Sequence, residues 1–219
     1  MDLRTVMLML SVGSFIFGLL LVILRFKKNN PQNVPFWIPA KMLQAAGSLL
    51  LYYRTSTFDG LTLLANTLLL LGCAYEAWAI RILSGQSVKR WLHLITTAGI
   101  ILVCSMTMFL VAPYRGGLVF LLQSAFCFLP SIFLFSRVGI KFSLQLILAI
   151  SYCITGLVFL IGAFICLGFP EYALILEKKV IFSIVPGMSF CLFLISGYIL
   201  LMLAKERSDM QVQEIQKEL

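Results

Sequence analysis

Nothing constrains this chain more than its long, unbroken apolar runs. The first, Val6 to Leu24, carries no charged residue, and comparable runs recur to Ala204. A soluble fold of 219 residues has no interior large enough to hide a chain that is 61% hydrophobic and 12% charged, with a mean hydropathy of +1.01. The solvent for most of the chain is therefore lipid. In hydrocarbon each backbone N–H and C=O needs an internal partner, so only helices or a closed barrel span. The runs do not alternate apolar with polar residues as barrel strands do, which leaves helices.

A crossing takes roughly 20 apolar residues. Candidate spans lie near 5–25, 36–54, 61–81, 91–112, 117–136, 142–168 and 180–204, with Lys41 and Gln44 interrupting the second. The breaks carry turn or charge signals, among them Lys27-Lys28-Asn29-Asn30-Pro31 and Pro113-Tyr114-Arg115-Gly116-Gly117. The first run is too long for a signal-peptide core and lacks a small-residue cleavage site, so it reads as a retained span.

The +8 net charge does not point to nucleic acid, because the basic residues cluster at the ends of apolar runs, where they orient helices and meet anionic headgroups. With the C-terminus inside, Arg25, Lys27, Lys28, Lys41, Arg81, Lys89, Arg90, Arg137, Lys141, Lys205, Arg207 and Lys217 fall on the cytoplasmic side. Only Arg4, Arg54, Arg115, Lys178 and Lys179 fall outside. Trp37, Trp78 and Trp91 then lie at the cytoplasmic interface. The expected fold is an all-α integral membrane protein: a seven-transmembrane-helix bundle over residues 1–204, N-terminus out and C-terminus in. A cytoplasmic exit helix follows over 205–219.

That last segment, KERSDMQVQEIQKEL, is polar and rich in helix formers. Met210, Val212, Ile215 and Leu219 form a thin apolar stripe that suits one strand of a parallel coiled coil, with a solvated tail as the plain alternative. No capping signal follows Leu219, as in a helix cut in its middle.

Ionisable residues inside a bundle are costly and mark function by default. Glu76 and His93 stand out, on spans joined by a short loop and at similar depth. They are expected either to form a proton-sensitive pair or the polar wall of a small-molecule site, or to reach water near the headgroups, with Glu76 paired to Arg81 or a nearby lysine. Gln44, Asn66, Gln123 and Gln145 add polar candidates, whose ordinary role is interhelical hydrogen bonding. Pro130 and Pro186-Gly187 are candidate kinks.

No catalytic constellation is visible. His93 is the one histidine, and there is no H-E-x-x-H, G-x-S-x-G or phosphate loop. The six cysteines lie within spans without metal spacing and read as small apolar residues, so neither metal nor cofactor is expected. No lysine lies between Val180 and Ala204, which excludes the usual retinal attachment.

Two stretches carry a family resemblance. WIPAKMLQAAGSLLLYYR holds Trp37, Gly47 and Arg54; LTLLANTLLLLGCAYEAWAIRILSG holds Asn66, Gly72, Ala77 and Gly85. This pattern, the seven-span order and the charged exit helix resemble the N-terminal membrane sensor regions of bacterial GGDEF diguanylate cyclases and some histidine kinases. The resemblance implies a sensory input module in the bacterial inner membrane, dimeric through its exit helix and responsive to a small-molecule or lipid ligand. It would act on a cytoplasmic output domain, a cyclic di-GMP synthase or a kinase, whose catalytic motifs this chain lacks. A second reading is a small 3+1+3 transporter of a polar solute with PQ loops. Pro31-Gln32 is present, but it lies in a loop, and spans 1–3 and 5–7 show no convincing repeat. A structural subunit of a larger complex is a third.

Overall fold

The computed structural model describes residues 3–26, 36–54, 60–84, 86–136, 143–171, 187, 189–198 and 202. Every regular element among them is helical: α1 (Leu3–Phe26), α2 (Trp37–Tyr52), α3 (Gly60–Leu83), α4 (Arg90–Met106), α5 (Ala112–Phe135), α6 (Ser143–Gly168) and α7 (Ser189–Tyr198). Five are long and apolar enough to cross a membrane: α1, α3, α4 with its following turn, α5 and α6. The expected helical membrane protein is present at this level. Two fall short among the described residues: α2, whose 16 residues span about 24 Å at 1.5 Å per residue, less than a typical hydrocarbon core, and α7, described only over Ser189–Tyr198.

Side-chain contacts give the direction of each helix. Ser11 bonds the Ala45 carbonyl while Phe17 meets Trp37, so α1 and α2 are antiparallel. Lys41 meets Glu76 while Gly47 meets Leu69, so α2 and α3 are antiparallel too. The same holds for α5 and α6, where Gly117 faces Leu167 and Ser131 bonds the Ala149 carbonyl. By contrast α3 and α5 run parallel, with Cys73 beside Gln123 and Arg81 beside Phe133. Gly13 packs on Phe193 and Gly197 on Phe17, which makes α1 and α7 parallel as well.

Two glycines set the α2–α3 distance. A Cβ on Gly47 would lie 2.9 Å from the Ala65 carbonyl oxygen, and one on Gly72 would lie 3.0 Å from that of Ala40. Backbones this close are what small residues permit at helix crossings within lipid.

The α4–α5 connection differs from the expected break at 113–117. The helix resumes at Ala112, with Pro113 in its first turn, where a missing N–H costs nothing and a fixed φ assists. The break itself is a 3-10 turn, Thr107–Phe109, followed by Leu110 and Val111. Arg115 reaches back to it, donating from Nε to the Thr107 carbonyl at 3.1 Å and from an Nη to that of Leu110 at 2.9 Å. Pro130 lies buried inside α5.

The perimeter is apolar. On α1, Val12, Phe15, Ile16, Leu19 and Ile23 are exposed, while Ser11, Ser14, Phe17 and Leu21 on the opposite face are buried. On α6 the exposed stripe is Ile147, Ile150, Ile154, Leu157, Ile161 and Phe164. On these two helices aliphatic side chains face outward while Ser11, Ser14 and Thr155 face inward, which suits lipid as the solvent.

Candidate functional site

The buried face of α2 reads Trp37, Ala40, Lys41, Gln44, Ala45, Gly47 and Ser48, a helical 3–4 spacing that carries a lysine and a glutamine one turn apart. The facing side of α3 includes Ala65, Gly72, Glu76, Ala79 and Ile80. With Gly47 and Gly72 holding the helices close, Lys41 Nζ comes within 2.8 Å of Glu76 Oε1. Gln44 lies between them: its Nε2 donates to Glu76 Oε2 at 2.6 Å, and its Oε1 accepts from Lys41 Nζ at 3.1 Å. From α6, the Tyr152 hydroxyl donates to Glu76 Oε1 at 2.8 Å. The ammonium also lies 5.8 Å from the Phe17 ring of α1 and 5.2 Å from the Phe193 ring of α7.

One charged cluster thus touches five helices. Each charge offsets the other, and the carboxylate has three donors, the condition under which buried charge is tolerated. Such a pair is seldom the most stable arrangement, since apolar residues of equal volume often do as well or better. Its presence within a membrane bundle points to a role beyond holding the fold.

Beside the cluster is a cavity of about 60 Å³, lined by Ser14, Lys41, Gln44, Cys73, Glu76, Gln123, Cys127, Tyr152, Phe193 and Ser196 among others. Ordinary small-molecule pockets are several times larger, roughly 300–1,000 Å³. Without helix movement it suits only very small polar occupants.

The sequence candidates divide. Glu76 and Gln44 are in the cluster, and Gln123 lines the cavity, its amide nitrogen 4.0 Å from Cys73 Sγ. His93 is elsewhere. Its ring centroid lies 5.3 Å from that of Phe36 and 6.4 Å from that of Tyr75. Tyr75 and Glu76 are successive residues of α3, so they point about 100° apart around the helix axis. The two residues therefore use different faces; of the two expected arrangements the Glu76–His93 pair is absent, and Glu76 is paired with a lysine, Lys41. Arg81, the other expected partner, stacks instead on Trp78 and Phe133, 5.9 Å and 5.2 Å from their ring centroids.

Asn66 and Gln145 are half-buried and do not line the cavity. Gly187 is half-buried, whereas Pro186, Met210, Val212, Ile215 and Leu219 lie outside the described residues. Sequence reasoning missed Lys41 and Tyr152. Lys41, read as an interfacial cytoplasmic charge, is 1% exposed. A signal was present: Lys41 and Gln44 share a face, and Gly47 and Gly72 stand about one turn from Gln44 and Glu76.

The cysteines are free thiols, and among the described residues no three His, Cys, Asp or Glu side chains converge as a metal would need. The chain matches no protein-family model, and neither a curated protein nor a solved structure matches it.

Proposed function

We propose that this protein is a membrane-embedded sensory input module, in which a change at the Lys41–Glu76 cluster is relayed through α7 to the C-terminal segment 205–219 and on to a cytoplasmic output domain. The observation that carries this reading is the contact between site and relay: Phe193 of α7 lies 5.2 Å from the Lys41 ammonium and, with Ser196, walls the cavity. A small-molecule or lipid ligand that binds one packing of α7 better than another shifts the equilibrium between them, which is what a sensor requires. Parallel α1 and α7 suit an odd number of crossings, and the basic residues favour seven, N-out and C-in. In this reading the segment 205–219, which lies outside the described residues, pairs two copies, and the output is diguanylate cyclase activity in a bacterial inner membrane.

The test joins the full chain through Leu219 to a cyclase domain lacking its own sensor, in cells that make no other cyclic di-GMP. Lys41→Met and Glu76→Gln are expected to change cyclic di-GMP several-fold at equal membrane levels. Equal output from wild type and both folded variants contradicts the reading.

The transporter reading has one observation in its favour, a cavity lined by both α1–α3 and α5–α7. Solute uptake by proteoliposomes, abolished in Lys41→Met while cyclase output stays constant, would select it.

A further inference from the structure

Three polar groups around the cavity have hydrogen-bonding capacity left over. Ser14 is 0% exposed and its Oγ has no partner. An ammonium carries three N–H donors, and Lys41 directs two of them, to Gln44 and Glu76. The Gln123 amide makes only the long contact to Cys73 among the described residues. These groups come from α1, α2 and α5, and all three line the same cavity.

A buried hydroxyl without a partner is costly, and in native proteins ordered water commonly satisfies it. Two conditions decide whether water enters: enough room, and two to four polar partners. A single water needs roughly 10–15 Å³ of space measured in this way, so a cavity of about 60 Å³ has room for a small cluster. The partners are present too. An apolar void of this size would stay dry; one walled by a hydroxyl, an ammonium, a carboxylate and an amide does not.

We infer that the cavity is a built water site: a small cluster of internal waters bridges the Ser14 hydroxyl of α1 and the Gln123 amide of α5 to the Lys41–Glu76 pair. Through these waters α1 and α5 join α2, α3 and α6 in one hydrogen-bonded network in the interior of the bundle. Any solute that binds here must displace the cluster and reproduce its hydrogen bonds, which restricts ligands to small, neutral molecules that both donate and accept. The inference depends on the cavity and its lining, and holds whether or not the chain is a sensor.

Infrared spectroscopy of the full chain in lipid nanodiscs tests it, comparing ordinary water with H₂¹⁸O. Ser14→Val places a methyl group in the cavity from α1, and Gln123→Leu removes a polar partner on α5. The wild type is expected to show isotope-sensitive O–H stretching bands of internal water, reduced by half or more in Ser14→Val. If Ser14→Val does not fold, Gln123→Leu serves as the second variant, with the same loss expected. Isotope-sensitive bands unchanged from wild type in the folded variants would overturn the water site.

Discussion

Lys41 and Glu76 lie thirty-five positions apart in the chain, yet their side chains meet at 2.8 Å with 1% and 9% of their surface exposed. Both charged groups are enclosed by protein, so Lys41 is not the exposed interfacial charge that its place near a helix end suggests in sequence. A lone ammonium or carboxylate at this position would be prohibitive, and the two are kept together by the register of α2 against α3.

That register rests on glycine. Gly72→Ala places a Cβ 3.0 Å from the Ala40 oxygen and 3.1 Å from the Gln44 nitrogen, both main-chain atoms that cannot rotate away. The variant is expected to lose about 1–3 kcal/mol of stability as α2 is pushed off. Gly99 has nothing within 4 Å of its Cβ position, so Gly99→Ala should be neutral or gain roughly 0.5–1 kcal/mol from helix propensity. Unfolding in mixed micelles distinguishes the two, and equal effects would count against the close α2–α3 approach.

Tyr152 contributes one hydrogen bond to a charged acceptor. Tyr152→Phe keeps the ring and removes the 2.8 Å bond to Glu76, with an expected cost of about 1.5–3 kcal/mol and an unchanged fold. A loss below about 0.5 kcal/mol in the same unfolding assay would place the hydroxyl outside the network.

His93 packs on rings and does not touch Glu76. His93→Phe preserves those contacts and is expected to alter stability by no more than about 1 kcal/mol, with no effect on the output of the cyclase fusion. A His93→Phe phenotype matching that of Glu76→Gln would restore the pairing that sequence alone suggests.

The three tryptophans report which surfaces meet lipid. Trp91 is 56% exposed, whereas Trp37 and Trp78 are each 5% exposed. In single-tryptophan variants reconstituted with brominated lipid, Trp91 fluorescence should be strongly quenched and the other two only weakly. Equal quenching at all three positions would contradict the packing of α2 and α3.

The helices were legible because long apolar runs set them: six of the seven expected ranges coincide with α1 to α6, within a few residues at most ends, and five of these six are long and apolar enough to cross a membrane. Where the α4–α5 break moved, the reason is local, since proline reads as a stop in sequence but is also a favoured first-turn residue. Glu76 was legible as an acid inside an apolar run. Its partner was harder to read, because a lysine near a helix end passes for an interfacial charge; the polar face shared by Lys41 and Gln44 hints that it points inward, and the α2–α3 register shows it. His93 shows the converse limit: loop length gives depth, but which side of a helix faces a neighbour depends on packing across the whole bundle. Tyr152 belongs to a residue type so common in spans that no pattern singles it out.

The most direct test of the central claim is a double-mutant cycle on Lys41 and Glu76 in mixed micelles. Lys41→Met and Glu76→Gln each strand a polar or charged partner, and each is expected to cost about 3–5 kcal/mol. The double variant strands neither charge and should cost clearly less than the two combined, by more than about 1 kcal/mol. Additivity within about 0.5 kcal/mol would mean that the two side chains do not interact, and the buried ion pair on which this account is built would be wrong.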